Sequence, residues 1–389
     1  MDYKLAIEKL IKENPENWES ILSNQPYSLK INKDNNFACL SYDQIESDMA
    51  LTECQEARGI IFDLVTLEPV CIPFFKFWNY GDSKCVAIDW STARVEQKMD
   101  GSIIKVWFSY RLDKWMISTN GCVNAFNATM APNPVYNSFG DLVMAVFVNK
   151  YGMDSDFGFP FDKDYTYMFE VTSLFNRVVV EHKVADVTFI GKRNNITLKE
   201  EKSEPIIIQG WKDYIRSPET FDLKSAEQVI SMAEKYTGEE EGFVVVHANF
   251  NRCKIKSSFY VHLHQSKNNG AITAERVIDM LQKGKLDEFV AYFDGEKTIA
   301  DYCNLVTAEF NIYIHKMETT KLLVISMVEA GKSRKDMALE MVEKVGDAKW
   351  YGFTILDRLN KNGTKLEDND PSAELMSMTP EKVAKFIKL

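Results

Sequence analysis

Missing from this sequence is any apolar run near the roughly 18 residues that a membrane-spanning helix needs. The opening Met1-Asp2-Tyr3-Lys4 also lacks the apolar core of a secretory leader, so a soluble, cytoplasmic protein with no membrane partner is expected. No Cys-x-x-Cys pair occurs, and the seven cysteines are scattered and odd in number. That pattern argues against a disulfide framework or a zinc site and predicts reduced thiols. No G-x-x-x-x-G-K-[ST] loop is present, which disfavours a nucleotide-hydrolysing P-loop enzyme. Positive charge is also short: 46 Lys and Arg against 57 Asp and Glu leave a net −11. A protein that coats nucleic acid non-specifically needs cations for its phosphate contacts, so that class is set aside. An enzyme with a local basic site is not.

What is present suits a folded, two-domain chain. A hydrophobic content of 45% with 26% charged residues is ordinary for a globular protein, and 389 residues exceed one comfortable core. Leu5, Ile7, Leu10 and Ile11 keep helical spacing until Pro15, and Trp18, Ile21 and Leu22 begin a second short helix. From about Phe37 short β-like runs take over, at 59–63, 103–108, 165–170, 178–180, 205–208 and 242–246, bounded by Gly, Asn, Asp and Pro. Helices interrupt them near 140–150 and 225–236. After about Gln265 the pattern is helical at 273–293, 301–331, 333–346 and 379–388, with Gly331 and Gly346 as stops and a polar loop at 360–371. The expected organisation is an α+β domain of antiparallel sheet over 1–267 followed by an all-α domain over 268–389.

The chemistry is concentrated in the first of these. Lys98-Met99-Asp100-Gly101-Ser102 places a lysine before an Asp-Gly turn that leads into a strand. A nucleophilic lysine must lose its proton, and nearby cations or burial make that easier. Alone such a string is weak evidence and reads more readily as a surface hairpin turn. Further elements follow in order. Phe169-Glu170-Val171 sets a carboxylate in a strand, Asn176-Arg177-Val178-Val179 comes next, and Glu241 heads the apolar run Gly242-Phe243-Val244-Val245. Lys254-Ile255-Lys256 then alternates, so in a strand both lysines face one side. Two such cations are costly side by side unless an anion lies between them, and a polyphosphate suits.

This constellation resembles the covalent nucleotidyltransferases, which comprise DNA ligases, RNA ligases and mRNA capping enzymes. It is most similar to the phage RNA ligase 1 family. The narrower resemblance rests on Glu56-Ala57-Arg58-Gly59-Ile60-Ile61-Phe62, Lys76-Phe77-Trp78-Asn79, Phe169-Glu170, Asn176-Arg177-Val178-Val179, and Lys254-Ile255-Lys256-Ser257 with Tyr260, Leu263 and His264. It runs from about Tyr42 to Ser266 and continues more faintly into the helical tail. Ala57 stands where the family carries Cys. Trp78 beside Phe77 stands where two phenylalanines are expected, which leaves both rings open as the adenine stacker.

The resemblance implies an antiparallel-sheet nucleotidyltransferase domain, ATP-grasp-like in fold, and an all-α RNA-specificity domain. It implies an ATP-dependent RNA ligase that joins 5′-phosphate and 3′-hydroxyl ends through lysyl-AMP and AMP-RNA intermediates. Mg2+ is the expected metal, with Mn2+ as a substitute, and single-stranded RNA or a cleaved tRNA is the expected partner of a monomer. Lys98 is then the nucleophile, and Asp100 orients it or a metal-bound water. Tyr42, Arg58, Lys76 and Phe77 contact the nucleotide. Glu170 and Glu241 face ribose or metal, with Asp287 a third metal-binding carboxylate. Lys254 and Lys256 hold phosphates, and Tyr260 is a further essential residue. The resemblance also makes a viral origin and the host cytoplasm the expected setting.

Two other functions stay open. A DNA ligase or capping enzyme would append a β-rich OB domain after the closing lysines, whereas this chain turns helical. A non-catalytic RNA-binding relative would keep the scaffold without the chemistry. His262 and His264 share one side if their segment is a strand, but no further ligand has metal spacing, and a structural role is preferred. His182, His247 and His315 are isolated. The methionines of the tail (Met317, Met327, Met337, Met341, Met376 and Met378) are read as core filling.

Overall fold

The computed structural model describes residues 3–130, 135–154, 158–176, 178–237, 240–269, 272–293 and 297–387. Arg177 of the Asn176-Arg177-Val178-Val179 string lies outside them. The chain forms two compact units, Met1–Tyr260 and Val261–Leu389. The division expected at 267/268 falls within the helix Ser258–Asn269, whereas the units part in that helix's first turn. Phe259 and Tyr260 in that turn are buried.

The first unit holds fourteen strands among the described residues: β1 (Leu29–Asp34), β2 (Phe37–Tyr42), β3 (Arg58–Asp63), β4 (Glu68–Cys71), β5 (Trp78–Asn79), β6 (Arg94–Lys98), β7 (Ser102–Ser109), β8 (Lys114–Thr119), β9 (Tyr165–Thr172), β10 (Asp186–Asn194), β11 (Glu200–Glu201), β12 (Thr220–Phe221), β13 (Gly242–Val246) and β14 (Arg252–Lys256). They form three sheets. One is the meander β1-β2-β3-β4; the others have the orders β11-β10-β9-β7-β8 and β12-β6-β13-β14-β5. Every ladder is antiparallel except β14 with β5. Helices α1 (Ala6–Glu13) and α2 (Trp18–Ser23) precede the meander and pack on it, burying Ile7, Ile11, Trp18 and Leu22 with Leu40, Ile60 and Phe62.

Strand β7 lies between β9 and β8. Its outer face joins a core of Ile104, Val106, Phe147, Phe169 and Phe189, while Trp107 reaches the meander at Phe37, Ile61 and Cys71. Buried on both faces from Ile104 to Phe108, it reads between its terminal serines as an apolar run broken by the fully buried Lys105, whose Nζ donates to Gly59 O. Each such large apolar side chain contributes about 1.5–3 kcal/mol by leaving water.

The expected helix near 140–150 is α3 in a different form: Phe139–Ala145 is α-helical, with Ser138 as N-cap, and continues as a π-helical turn over Val146–Tyr151. The helix expected at 225–236 spans Ala226–Ala233, with Ser225 accepting from Gln228 N. Two β-like runs are not strands. Val179 and Val180 donate their backbone N–H groups to the Asp100 carboxylate, so they cannot extend a ladder. Residues 205–208 make a single bridge, Ile206 with Ile215.

The second unit is helical among its described residues. The long helix Lys297–Glu329 buries Cys303, Val306, Phe310, Tyr313, Met317, Thr320, Val324 and Met327 at alternating steps of three and four, one continuous seam. Gly331 and Gly346, both with positive φ, follow the ends of Lys297–Glu329 and Arg334–Lys344 as expected. Gly284 splits the segment expected at 273–293 into Ala274–Gln282 and Leu286–Tyr292. Met317, Met327, Met337 and Met341 are buried, but Met376 is exposed. The helix Lys349–Asn362 was not evident in the sequence. Its Gly352 lies where a Cβ would meet Met341 Sδ at 2.4 Å, so glycine here permits close helix packing rather than breaking the helix.

Candidate active site

Strand β6 ends in one sheet at Lys98 and β7 begins in the other at Ser102, so the Lys-x-Asp-Gly turn is the crossing between two sheets. Gly101 is required there, because a Cβ would lie 2.3 Å from Val171 O and 3.1 Å from Glu170 Cγ. Glu170 on β9 is thereby brought against the turn. In the other sheet Gly242 of β13 pairs with Lys98 on one side and Lys256 on the other. A Cβ on Gly242 would meet Ile255 O at 2.2 Å, so the lysines flank a position that only glycine can fill.

Glu241, immediately before, closes the gap. Its buried carboxylate takes Lys98 Nζ at 2.6 Å on Oε2 and Lys256 Nζ at 2.7 Å on Oε1. The next row across these strands is Glu96, Val244 and Lys254. Lys254 therefore shares a face with Lys256, as the alternation predicted. Burial and the neighbouring Lys256, Lys76, Lys98 and Arg58 cations push its pKa down to about 8. In the opposite sense, Glu170 is pushed up to about 7. Loss of hydration is the largest cause and the carboxylates of Glu241 and Asp100 add to it, while Lys98 and Arg58 oppose.

Arg58, Phe77, Lys98, Glu170, Val244 and Arg252 line a narrow cavity of about 70 Å3. The Arg58 guanidinium lies 5.0 Å from the Phe77 ring centre. Its enclosed Nη1 has no hydrogen-bond partner among the described residues, and burial lowers its pKa. Lys76 Nζ donates to Tyr42 Oη at 3.2 Å, joining two more of the expected nucleotide-contacting residues. Of the two aromatic rings left open for adenine, Phe77 lines the Lys98 cavity and Trp78 lines its neighbour.

Both carboxylate oxygens of Asp100 are engaged in hydrogen bonds. Its Oδ2 accepts from Val179 N at 2.8 Å and Val180 N at 2.6 Å, and its Oδ1 accepts from Tyr260 Oη at 2.6 Å. His182 Nε2 meets Asp100 O at 3.0 Å. The aspartate thus anchors the turn that carries Lys98, and Tyr260 is tied to the same anchor. Burial, with the carboxylates of Glu241 and Asp100, drives the Tyr260 pKa upward, so its hydroxyl stays a donor.

Glu96, Arg252 and His182 were not singled out in the sequence. The first two continue the period-two alternation of Lys98 and of Lys254/Lys256, a signal that was present. His182 had none. The His262-Leu263-His264 string lies in the helix Ser258–Asn269 rather than a strand, and His262 Nε2 pairs with Asp279 at 2.7 Å.

Glu170 and Glu241 are the carboxylates that could hold a divalent cation: burial strips Glu170 of the hydration that favours its charged form, and a bound ion would favour it instead. Among the described residues no group of three or more His, Cys, Asp or Glu side chains forms a ready metal site. Asp287 is carried by the second unit, exposed on Leu286–Tyr292. The orphaned Arg58 Nη1 and the crowded Lys254 suit an anionic ligand such as a triphosphate. No helix of the described residues is long and apolar enough to cross a membrane.

The RNA ligase family model matches residues 56–260. The RNA ligase of Rhodothermus phage RM378 is 24% identical over 315 residues, covering 70% of this chain and 70% of its own. A protein of Autographa californica nuclear polyhedrosis virus, named for polynucleotide kinase and RNA ligase, is 26% identical over 304 residues, covering 71% of this chain. The match takes in 40% of that viral relative's length. Among solved structures, an archaeal ATP-dependent RNA ligase superposes with a TM-score of 0.42 at 12% identity, over 82% of this chain and 83% of that one.

Proposed function

Because this chain belongs to the RNA ligase family, we propose that it seals RNA at the expense of ATP, with Lys98 carrying AMP between ATP and the strand's 5′-phosphate. The observation that supports this most directly is the Lys98–Glu241–Lys256 bridge beside Glu170, in a cavity lined by Arg58 with an unpartnered N–H.

In the first step Lys98 Nζ, as the free amine, attacks the α-phosphorus of ATP. A P–N bond forms, the bond to the β-phosphate oxygen breaks, and pyrophosphate leaves. Glu241 Oε2, 2.6 Å from Nζ, is the acceptor for the proton that Lys98 sheds. Lys254, Lys256, Arg58 and Lys76 neutralise the phosphates, Tyr42 holds Lys76, and Phe77 stacks on adenine. In the second step an oxygen of the RNA 5′-phosphate attacks the same phosphorus, the P–N bond breaks, and Lys98 regains a proton. In the third, the 3′-hydroxyl attacks the RNA 5′-phosphorus and releases AMP. All are in-line displacements, for which position and charge neutralisation do most of the catalysis. A Mg2+ ion, held through Glu170 and Glu241, would offset charge on the leaving group; Mn2+ would serve in its place, and Asp287 stays a further metal-binding carboxylate on the resemblance alone. Asp100 and Tyr260 position the Lys98 turn.

Further readings rest on the resemblance alone: cleaved tRNA as substrate, the helical unit as the source of RNA specificity, a monomer, and action in the cytoplasm of an infected host.

The test is labelling. Purified chain with ATP and Mg2+ should gain one AMP, stable to base and labile to acid, and Lys98→Ala should gain none. An adduct on Lys98→Ala overturns the assignment. Labelling by GTP instead would indicate a capping-type enzyme, sealing confined to nicked DNA a DNA ligase, and RNA binding without any adduct a non-catalytic relative.

A further inference from the structure

Beside the Lys98 cavity lies a second and larger one, of about 600 Å3, within the range of about 300–1,000 Å3 typical of ligand sites. The two share Phe77 and Arg252 in their walls. Trp78 lines the larger one only, with Lys76 Nζ 5.1 Å and Lys84 Nζ 5.2 Å from its ring centre. Lys84 and Lys199 are exposed on its wall and have no carboxylate partner among the described residues. The one carboxylate in the lining, Glu200, is already held by Arg193 and Arg252. On a chain of net charge −11, this is a local concentration of cations around a half-exposed indole.

Cations beside an aromatic face are the chemistry that takes single-stranded nucleic acid: the ring stacks on a base and the lysines meet phosphate. The triphosphate of ATP already has Arg58, Lys254, Lys256 and Lys76 as its ligands, of which only Lys76 lines this cavity, so Lys84 and Lys199 are not needed for it. Of the two ends of an RNA to be sealed, the 5′-phosphorylated one carries the extra charge, while the 3′-hydroxyl end is neutral. The 5′-phosphate must also reach within about 3–3.5 Å of the lysyl-adenylate phosphorus, and the shared wall puts this cavity next to it.

We propose that this second cavity is the docking site for the 5′-phosphorylated terminal nucleotide of the RNA, with its base on Trp78 and its phosphates on Lys84 and Lys199. The assignment rests on the ligase reading above and names the strand end that reading leaves unplaced.

The test uses the full chain and a 5′-phosphorylated single-stranded oligoribonucleotide, with the same oligonucleotide bearing a 5′-hydroxyl as control. Lys84→Ala/Lys199→Ala should take AMP from ATP at the wild-type rate. Its transfer of AMP to the 5′-phosphate should slow by tenfold or more at low RNA concentration, through a higher KM. The slope of log affinity against log salt should fall by about 1.4, that is about 0.7 for each lysine lost. Trp78→Phe should retain more of the transfer than Trp78→Ala. Slower adenylation in the double variant would assign the cavity to ATP, and a defect only in sealing pre-adenylylated RNA would assign it to the 3′-hydroxyl strand. Either outcome, or unchanged transfer, overturns the proposal. Fluorescence-anisotropy binding of the two oligonucleotides, where the double variant should lose the preference for the 5′-phosphate, tests the site even if no adduct forms on Lys98. It therefore separates failure of this site from failure of the ligase reading.

Discussion

Glu200 and Glu241 stand in the same arithmetic, one carboxylate between two cations, yet their surroundings diverge. Glu200 lies between Arg193 and Arg252, with 7% of its side chain exposed and the arginines at 6% and 8%. Arg193 pairs in register with Glu200 across β10 and β11, while Arg252 comes from β14, so this clamp fastens two sheets together. Arg252 Nη1 is 2.6 Å from Glu200 Oε2, close as an ion pair but off the hydrogen-bonding angle. Both guanidinium groups lie 4.0 Å from a phenylalanine ring centre, Phe75 and Phe74. Glu241, by contrast, lies between lysines that keep 21% and 24% of their side chains in solvent, and both come from strands flanking β13 within one sheet. Arginine is planar, stacks, and never loses its charge; lysine is mobile and can become a nucleophile. The same charge pattern is therefore built of arginine where it joins two sheets and of lysine where, on the function proposed above, protons and phosphates move.

The largest test of that division is Glu200→Ala. It strands two enclosed guanidinium groups, and breaking a buried ion pair in this way costs about 3–5 kcal/mol. Urea denaturation of the first unit should show a midpoint lowered accordingly. An unchanged midpoint would mean that the arginine clamp does not hold the sheets. Next in size is Glu241→Gln. Lys98 and Lys256 can extend into water, so stability should change by no more than about 1–2 kcal/mol. Adenylation should fall by about 10²–10³-fold, the scale of removing one preorganised electrostatic group. A stability loss matching that of Glu200→Ala would erase the distinction between the two clamps.

The clamps also differ in how far the sequence discloses them. Lys254 and Lys256 declare a shared face by period two, and the Asp-Gly after Lys98 declares its turn, because both signals are local. The same alternation carried two residues further reaches Arg252 and Glu96. What brings Glu241 to Lys98 is a ladder between residues 143 positions apart, and nothing local reports it. The contacts of Asp100 are hidden for the same reason: its partners Val179, Val180 and Tyr260 are distant in sequence, so nothing local reports how it ties down the turn. Val178-Val179-Val180 reads as a strand because its apolar side chains are visible while its donors' destination is not. In the helical unit the long seam is plain from its spacing. The helix Lys349–Asn362 is hidden by Gly352, whose missing side chain matters against Met341, Thr320 and Val324, all distant in sequence.

The smallest effect expected concerns proton loss itself, which arginine cannot undergo. Lys254, at a pKa of about 8, is largely protonated at pH 7 and largely neutral at pH 9. A polyphosphate prefers the charged form, so affinity for pyrophosphate should fall as pH rises through 8, by about tenfold between pH 7 and 9. Pyrophosphate and Glu170 titrate too, so the informative quantity is the difference between wild type and Lys254→Arg, in which those ionisations cancel. The arginine variant stays charged and should lack the Lys254 share of the decline. The sign for stability runs the other way. A lysine depressed on folding binds more protons unfolded than folded between about 8 and its ordinary value near 10.5, so its contribution to stability rises with pH across that window. Lys254→Arg should lose that rise while binding pyrophosphate at pH 9 several-fold more tightly than wild type does. Parallel binding profiles for the two proteins would show that Lys254 holds no phosphate, and the lysine clamp would then work through Lys98 and Lys256 alone.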